Sequence, residues 1–90
     1  ENIQFIQSQS DYVKFFIEGS KPLMSLMSMK SLEELLQNTN IIRVHRSYFI
    51  NIKKINYVAN QIIRIGSHEI PLGDSYKAAF LECIQQNGIG

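Results

Sequence analysis

The 90-residue sequence predicts a single, mainly antiparallel β domain with two short helices. Three observations carry this. Tyr12 to Ile17 is β-branched and aromatic, with Val13, Phe15 and Ile17 on one face at a period of two. The stretch from Ile55 to Pro71 breaks into three short apolar runs at Asn60-Gln61 and Gly66-Ser67. Such pairs suit tight hairpins, because Asn and Gly tolerate positive φ. Apolar residues recur at helical spacing only in two short segments, one around Leu32 and one around Phe80.

In chain order, the strand Tyr12 to Ile17 ends in a turn, Glu18-Gly19-Ser20-Lys21-Pro22, where Gly and Pro supply the special backbone angles. Leu23 to Met27 reads as a weaker strand. Ser31, with Glu34 three residues on, fits a capping box opening a short helix that buries Leu32, Leu35 and Leu36. Asn38-Thr39-Asn40 ends it. Ile41 to Asn51 is two apolar β-forming runs broken by His45-Arg46-Ser47, with Val44 turned inward by alternation. Strands follow at Ile55 to Ala59, Ile62 to Ile65 and Glu69 to Pro71. Gly73 or Asp74 then caps a last helix running to about Gln86, whose Tyr76, Ala79, Phe80, Cys83 and Ile84 share one side, and Asn87-Gly88 closes it. Both helices are too short to persist alone. One core joining Phe15, Ile17, Leu32, Leu35, Tyr76 and Phe80 is therefore expected.

Composition excludes several classes. Hydrophobic content of 44% against 19% charged suits a folded domain rather than a disordered one. No apolar run approaches the ~18 residues of a membrane span, and no signal-peptide pattern is present. Together with a single cysteine this points to the cytoplasm. The chain opens on Glu1 rather than Met, so it reads as a piece of a longer protein. Cys83 reads as a thiol packed on the apolar side of the last helix, with a redox site as the alternative. Two histidines and one cysteine are too few for a zinc site of four N and S ligands. Phosphate-binding glycine loops are missing, and His45, Ser47 and Asp74 lack any nucleophile-elbow context. The chain does not read as an enzyme, and no cofactor is called for. Met24, Met27 and Met29 read as core filling, the alternative being a sticky partner surface.

Charge is unevenly placed. From Leu35 to His68 there is no Asp or Glu, yet Arg43, Arg46, Lys53, Lys54 and Arg64 all fall inside, while the rest of the chain holds four basic residues against eight acids. Positive charge confined to one window suggests a polyanion-binding face. Within it, the planar donor fork of Arg46 matches guanine edges or phosphate, with His45 and Ser47 as shorter-range donors. The alternative has Arg43 and Arg46 pairing with Glu33, Glu34 or Glu69 on the surface. His45 either meets DNA or is half-buried as an orienting hydrogen-bond partner. Lys53, Lys54 and Arg43 read as phosphate contacts, the two lysines alternatively as a solvated turn. Asn51 reads as a structural residue bonding nearby backbone.

The run Arg43-x-His45-Arg46-Ser47-Tyr48-Phe49-Ile50-Asn51 closely resembles the signature of the LytTR DNA-binding domains. Flanking stretches extend the likeness: Ile3-Gln4-Phe5-Ile6, Ser10-Asp11-Tyr12-Val13, Met29 to Leu36, and Ile70-Pro71-Leu72-Gly73-Asp74-Ser75-Tyr76-Lys77. The resemblance covers roughly residues 3 to 84. It implies a compact stack of small antiparallel sheets that reads bases through loops rather than a recognition helix. The positions that match those loops are Asp11 to Lys14, Arg46, and Asp74-Ser75. Two of these places depart from the usual basic character. Asp11 leaves Tyr12 and Lys14 as the contacts there, and Asp74 leaves Ser75, with Lys77 supplying charge.

The resemblance implies sequence-specific binding of double-stranded DNA, in the major groove and at repeated half-sites. It also implies the output domain of a bacterial two-component response regulator controlling transcription, with a phosphorylated receiver domain ahead of Glu1 and a homodimer formed on DNA. The alternative is a protein-interaction module using a strand edge or the Met-rich segment. RNA fits less well, because no exposed aromatic stacking cluster is evident.

Overall fold

A computed structural model gives the fold of residues 2–86. Eight strands and two helices follow in order: β1 (Ile3–Gln9), β2 (Tyr12–Ile17), β3 (Leu23–Leu26), α1 (Met29–Leu35), β4 (Ile41–His45), β5 (Tyr48–Asn51), β6 (Tyr57–Ala59), β7 (Ile62–Ile65), β8 (His68–Pro71) and α2 (Lys77–Gln86). Single 3₁₀ turns at Ile52–Lys54 and Asp74–Tyr76 complete the path. The strands form a five-stranded sheet in the order β3-β2-β1-β5-β4 and a three-stranded meander β6-β7-β8, antiparallel throughout. The expected small antiparallel sheets with two short helices are what the chain forms. Asn87-Gly88 lies outside the described residues.

Apart from the exposed edge strand β3, the five-stranded sheet is covered on both faces, and period-two alternation divides its side chains between two cores. One face gives Ile6, Val13, Ile41 and Phe49 to a cluster closed by Leu32 of α1. The other gives Phe5, Val44 and Ile50 to a cluster shared with Ile63, Ile65 and Ile70 of the meander and with Phe80 of α2. On this second face the rings of Phe5 and Phe16 stack 4.2 Å apart, and the imidazole of His68 meets Phe5 edge-on at 4.8 Å. The single core expected from sequence is thus two: Leu32 and Phe15 belong to one, Phe80 and Tyr76 to the other.

The first helix begins earlier than the capping-box pattern suggests. Ser28, not Ser31, is the N-cap, and its Oγ accepts from the Ser31 amide at 3.0 Å. Because Met29 starts the helix, Met29, Leu32 and Leu36 turn inward while Leu35 stays 70% exposed. Of the three methionines, Met27 and Met29 fill the core as expected, whereas Met24 is exposed on the edge strand β3. The last helix begins at Lys77, after the 3₁₀ turn, and Gly73 offers no side-chain cap. Its apolar side holds Phe80, Cys83 and Ile84 against the second core, beside Tyr76 of the preceding turn, but Ala79 remains exposed.

Both expected hairpin turns form. Asn60 and Gln61 carry φ of 53° and 60°, the mirror-image turn that matches strand twist. Gln61 is a costly residue for that conformation. Its amide Nε2 donates to the Leu72 carbonyl and to Asp74 Oδ1, which holds it there. Asn51 is buried, as its structural role requires: its Nδ2 donates to the Ile3 carbonyl at 2.8 Å and its Oδ1 accepts from the Lys53 amide at 2.9 Å. It ties the start of β1 to the exit from β5.

Candidate nucleic-acid interface

The break between the two apolar runs of the central motif is a two-residue turn. His45 pairs across from Tyr48, leaving Arg46 and Ser47 at the tip, and a register shift between Arg43 and His45 makes a bulge at Val44. A bulge re-aims the residues beside it. Val44 faces the core, fully buried, as alternation predicts.

The turn is held from four sides. The Val44 carbonyl accepts from the Gly73 amide at 2.8 Å, and the Ser47 carbonyl from the Ser8 amide at 2.9 Å. The His45 carbonyl accepts from Arg43 Nε at 3.3 Å, and the Arg46 carbonyl from Arg43 Nη2. Inside the turn the Ser47 amide donates to His45 Nδ1 at 3.1 Å, while the His45 ring packs edge-on against Tyr48. His45 is thus half-buried with Nδ1 as an acceptor inside the turn, the geometry that the orienting alternative calls for. The Arg46 side chain is exposed and makes no hydrogen bond or ion pair among the described residues.

Those same bonds place two further turns beside Arg46. Ser8 lies at the end of β1, so its bond to Ser47 sets the Ser10-Asp11 turn next to Arg46-Ser47. Ser10 has φ of 57°, and Tyr12 follows with 45% of its surface exposed. Gly73 brings in the third turn. A Cβ there would lie 3.2 Å from Tyr76 Cδ2, so the Tyr76 ring would have to give by a few tenths of an ångström, while its 3.6 Å to the His45 backbone is ordinary contact. Asp74 and Ser75 follow, both exposed, with the Asp74 carboxylate accepting from Gln61. The structure thus gathers Tyr12, His45, Arg46, Ser47 and Ser75 at one end of the five-stranded sheet.

The other basic candidates are dispersed. Lys14 is half-buried, its ammonium 5.3 Å from the centre of the Phe16 ring. Lys77 lines a groove of about 430 Å³ with Tyr57, Val58 and Leu81, between α2 and the meander. Lys53 and Lys54 follow the far end of β5, beside the start of β1. At ~3.4 Å per residue, the four steps from Ser47 to Asn51 already separate them from Arg46 by about 13 Å. Lys54 is also paired with Glu18 at 2.7 Å. That hydrogen bond and the ammonium charge hold the Glu18 carboxyl below its usual range. The pair's small stabilisation is present above the ordinary Glu range and is lost as pH falls from there through the lowered pKa of the folded carboxyl.

The acid-free window of the sequence is therefore not an acid-free face. Arg43 meets Glu33 at 3.3 Å, Lys54 meets Glu18, and Arg64 meets Glu69 at 2.9 Å, each acid coming from outside the window. Arg46 and Lys53 are the cations of the window without an ion pair among the described residues. The surface-pair alternative holds for Arg43 and not for Arg46. Sequence reading also missed the parts played by Gly73 and Ser8. A glycine one residue before an exposed Asp-Ser pair was a usable signal for Gly73; nothing local marked Ser8.

Among the described residues no three His, Cys, Asp or Glu side chains gather in a metal-holding group, and no helix is long and apolar enough to cross a membrane. Comparison with known proteins places the chain. The family model of the LytTr DNA-binding domain matches residues 1–85. A solved structure named as the LytTr DNA-binding domain of a methyl-accepting/DNA response regulator from Bacillus cereus has a TM-score of 0.80 to this chain. It is 18% identical over 92% of this chain and 81% of its own, a likeness of fold. No curated protein matches.

Proposed function

We propose, from the premise that this chain belongs to the LytTr DNA-binding domain family, that it reads double-stranded DNA by sequence as the output domain of a bacterial response regulator. In that setting it acts in the cytoplasm and controls transcription. A receiver domain in the same protein would bring two copies together on repeated half-sites. One observation supports the reading above others: Arg46 projects unpaired from a turn whose backbone is tied down on every side, between two other exposed turns. A guanidinium presented by a rigid turn loses little freedom on meeting a guanine edge. Tyr12, Ser47 and Ser75 stand where hydroxyls can reach phosphate or base, and His45 orients the turn. Lys14 and Lys77 add charge behind them. Lys53 and Lys54 contribute as distant charges rather than as contacts at the same stretch of duplex. Direct binding asks for no cofactor and no catalysis.

Few free cations at the docking end imply weak binding per domain, with affinity gained by linking two copies. Titration of a random duplex at graded salt tests this. The slope of log affinity against log salt is about −0.9 per phosphate neutralised, so about two or three contacts give a slope of roughly −2 to −3. The double variant Lys53→Ala, Lys54→Ala is expected to change that slope by less than about 0.5, because charges beyond the ~8 Å Debye length are largely screened. A fall of about two would put both lysines on phosphate and rotate the docking face. A salt-insensitive partner, found with no duplex binding, would favour the interaction-module alternative, whose apolar edge strand carries exposed Leu23, Met24 and Leu26.

A further inference from the structure

We infer that Arg43 is a positioning residue for Arg46: it clamps the backbone of the Arg46-Ser47 turn instead of meeting DNA itself. This rests on the proposed DNA reading and assigns a different task to the second arginine of the motif. Three of the five N–H donors of Arg43 are engaged within the protein. Nε and Nη2 donate to the carbonyls of His45 and Arg46, two consecutive peptides at the tip of the turn, and Nη1 donates to Glu33 Oε1 at 3.3 Å. The guanidinium lies 5.8 Å from the ring centres of both Phe49 and Tyr76, and only 19% of the side chain is exposed. Three of its five N–H groups are thus committed, so a phosphate could take the whole donor fork only by breaking bonds already made. Arg46, three residues on, has no such commitments.

The geometry requires arginine and not merely a positive charge. Two adjacent carbonyls and a carboxylate are met at once by a planar fork of donors in fixed directions. A lysine ammonium is a single point at the end of a flexible stem and cannot hold the same three acceptors in that spread. Glu33 belongs to α1, which packs through Leu32 on the face of the sheet that Phe49, the cross-strand partner of Arg43, also lines. The clamp thus fastens the turn to α1 as well as to its own hairpin. Tyr76 belongs to the third turn, so its stacking on Arg43 also links the Gly73–Tyr76 segment to the same guanidinium.

The test compares Arg43→Lys and Arg43→Gln with the parent chain by two readouts. One is binding to a selected duplex and its single-base variants at two salt concentrations. The other is amide hydrogen exchange at Arg46 and Ser47 without DNA. For Arg43→Lys, discrimination at the base read by Arg46 should fall about tenfold, since bonds from a charged donor are lost. Its salt slope should stay at the parental value, and both turn amides should exchange several-fold faster. Lysine keeps the stem over Phe49 and Tyr76, so it carries the test if the glutamine variant does not fold. If Arg43→Lys instead restores parental binding while Arg43→Gln lowers the slope by about 1, Arg43 is a phosphate contact and the inference is overturned. Unchanged turn exchange in the lysine variant overturns it too. Should the parent bind no duplex at any salt, the functional reading fails, and the exchange readout still decides whether the clamp exists.

Discussion

Phe80→Ala is expected to remove a large part of the stability of this domain. Phe80 is 1% exposed and is the one fully buried side chain of α2, packed in the core shared with Val44, Ile50, Ile63 and Ile70. Truncating a buried phenylalanine costs roughly 3–5 kcal/mol, through lost transfer energy and the cavity left behind. A chain of this length is stable by only about 5–13 kcal/mol in total. At roughly 4–8 °C per kcal/mol for a small domain, the melting temperature should drop by more than about 12 °C. Leu35→Ala is the matched control. Leu35 lies in the other helix and is 70% exposed, so its loss should stay within about 0.5 kcal/mol. Thermal melts of both variants by circular dichroism check this. If Phe80→Ala melts with the parent, α2 is not docked as described.

The consequence extends to the interface. The segment from Gly73 to Tyr76 runs straight into α2, and its approach to His45 depends on the bond between the Gly73 amide and the Val44 carbonyl. Undocking α2 releases one side of the Arg46 turn. Milder core substitutions under α2 are therefore expected to weaken base discrimination before they unfold the chain.

Local chemistry explains what the sequence made legible. The turns at Asn60-Gln61 and Gly66-Ser67, the inward Val44 and the buried Asn51 each depend on a few neighbouring residues, and each stands as read. What was not legible depends on pairings distant in sequence. β1 lies between β2 and β5, and its bonds to β5 join residues more than forty positions apart. No period or propensity announces that neighbour. Without it, two faces of one sheet were read as a single core. The same limitation hid the neighbours of the basic window: Glu18 and Glu33 lie outside it in sequence but fold back onto Lys54 and Arg43. Lys53 and Lys54 follow the Arg46 motif closely in sequence, yet an extended strand carries them to the far end of the sheet. The α1 start was misread for a different reason. Ser28 and Ser31 both suit an N-cap, and only the inward packing of Met29 and Leu32 selects between them.

Arg46→Ala should have the largest effect on DNA recognition of any single exposed side chain. A good bidentate contact to a base is worth about 1–3 kcal/mol of discrimination, so affinity for a selected site should fall about five- to 150-fold. The loss should be uneven. Variants of the site changed at the base read by Arg46 should bind the mutant almost as well as the selected site does, because the contact that told them apart is gone. Stability should hardly change. Arg46 buries no apolar area in either core and makes no side-chain bond among the described residues, and its backbone bonds survive truncation. A melt near the parent's would separate lost recognition from lost structure. The decisive measurement is the affinity of parent and mutant for a selected duplex and its single-base variants, at two salt concentrations. If Arg46→Ala weakens every sequence by the same factor and lowers the salt slope by about 1, Arg46 holds a phosphate. Base reading would then have to come from the turns on either side, through Tyr12 or Ser75.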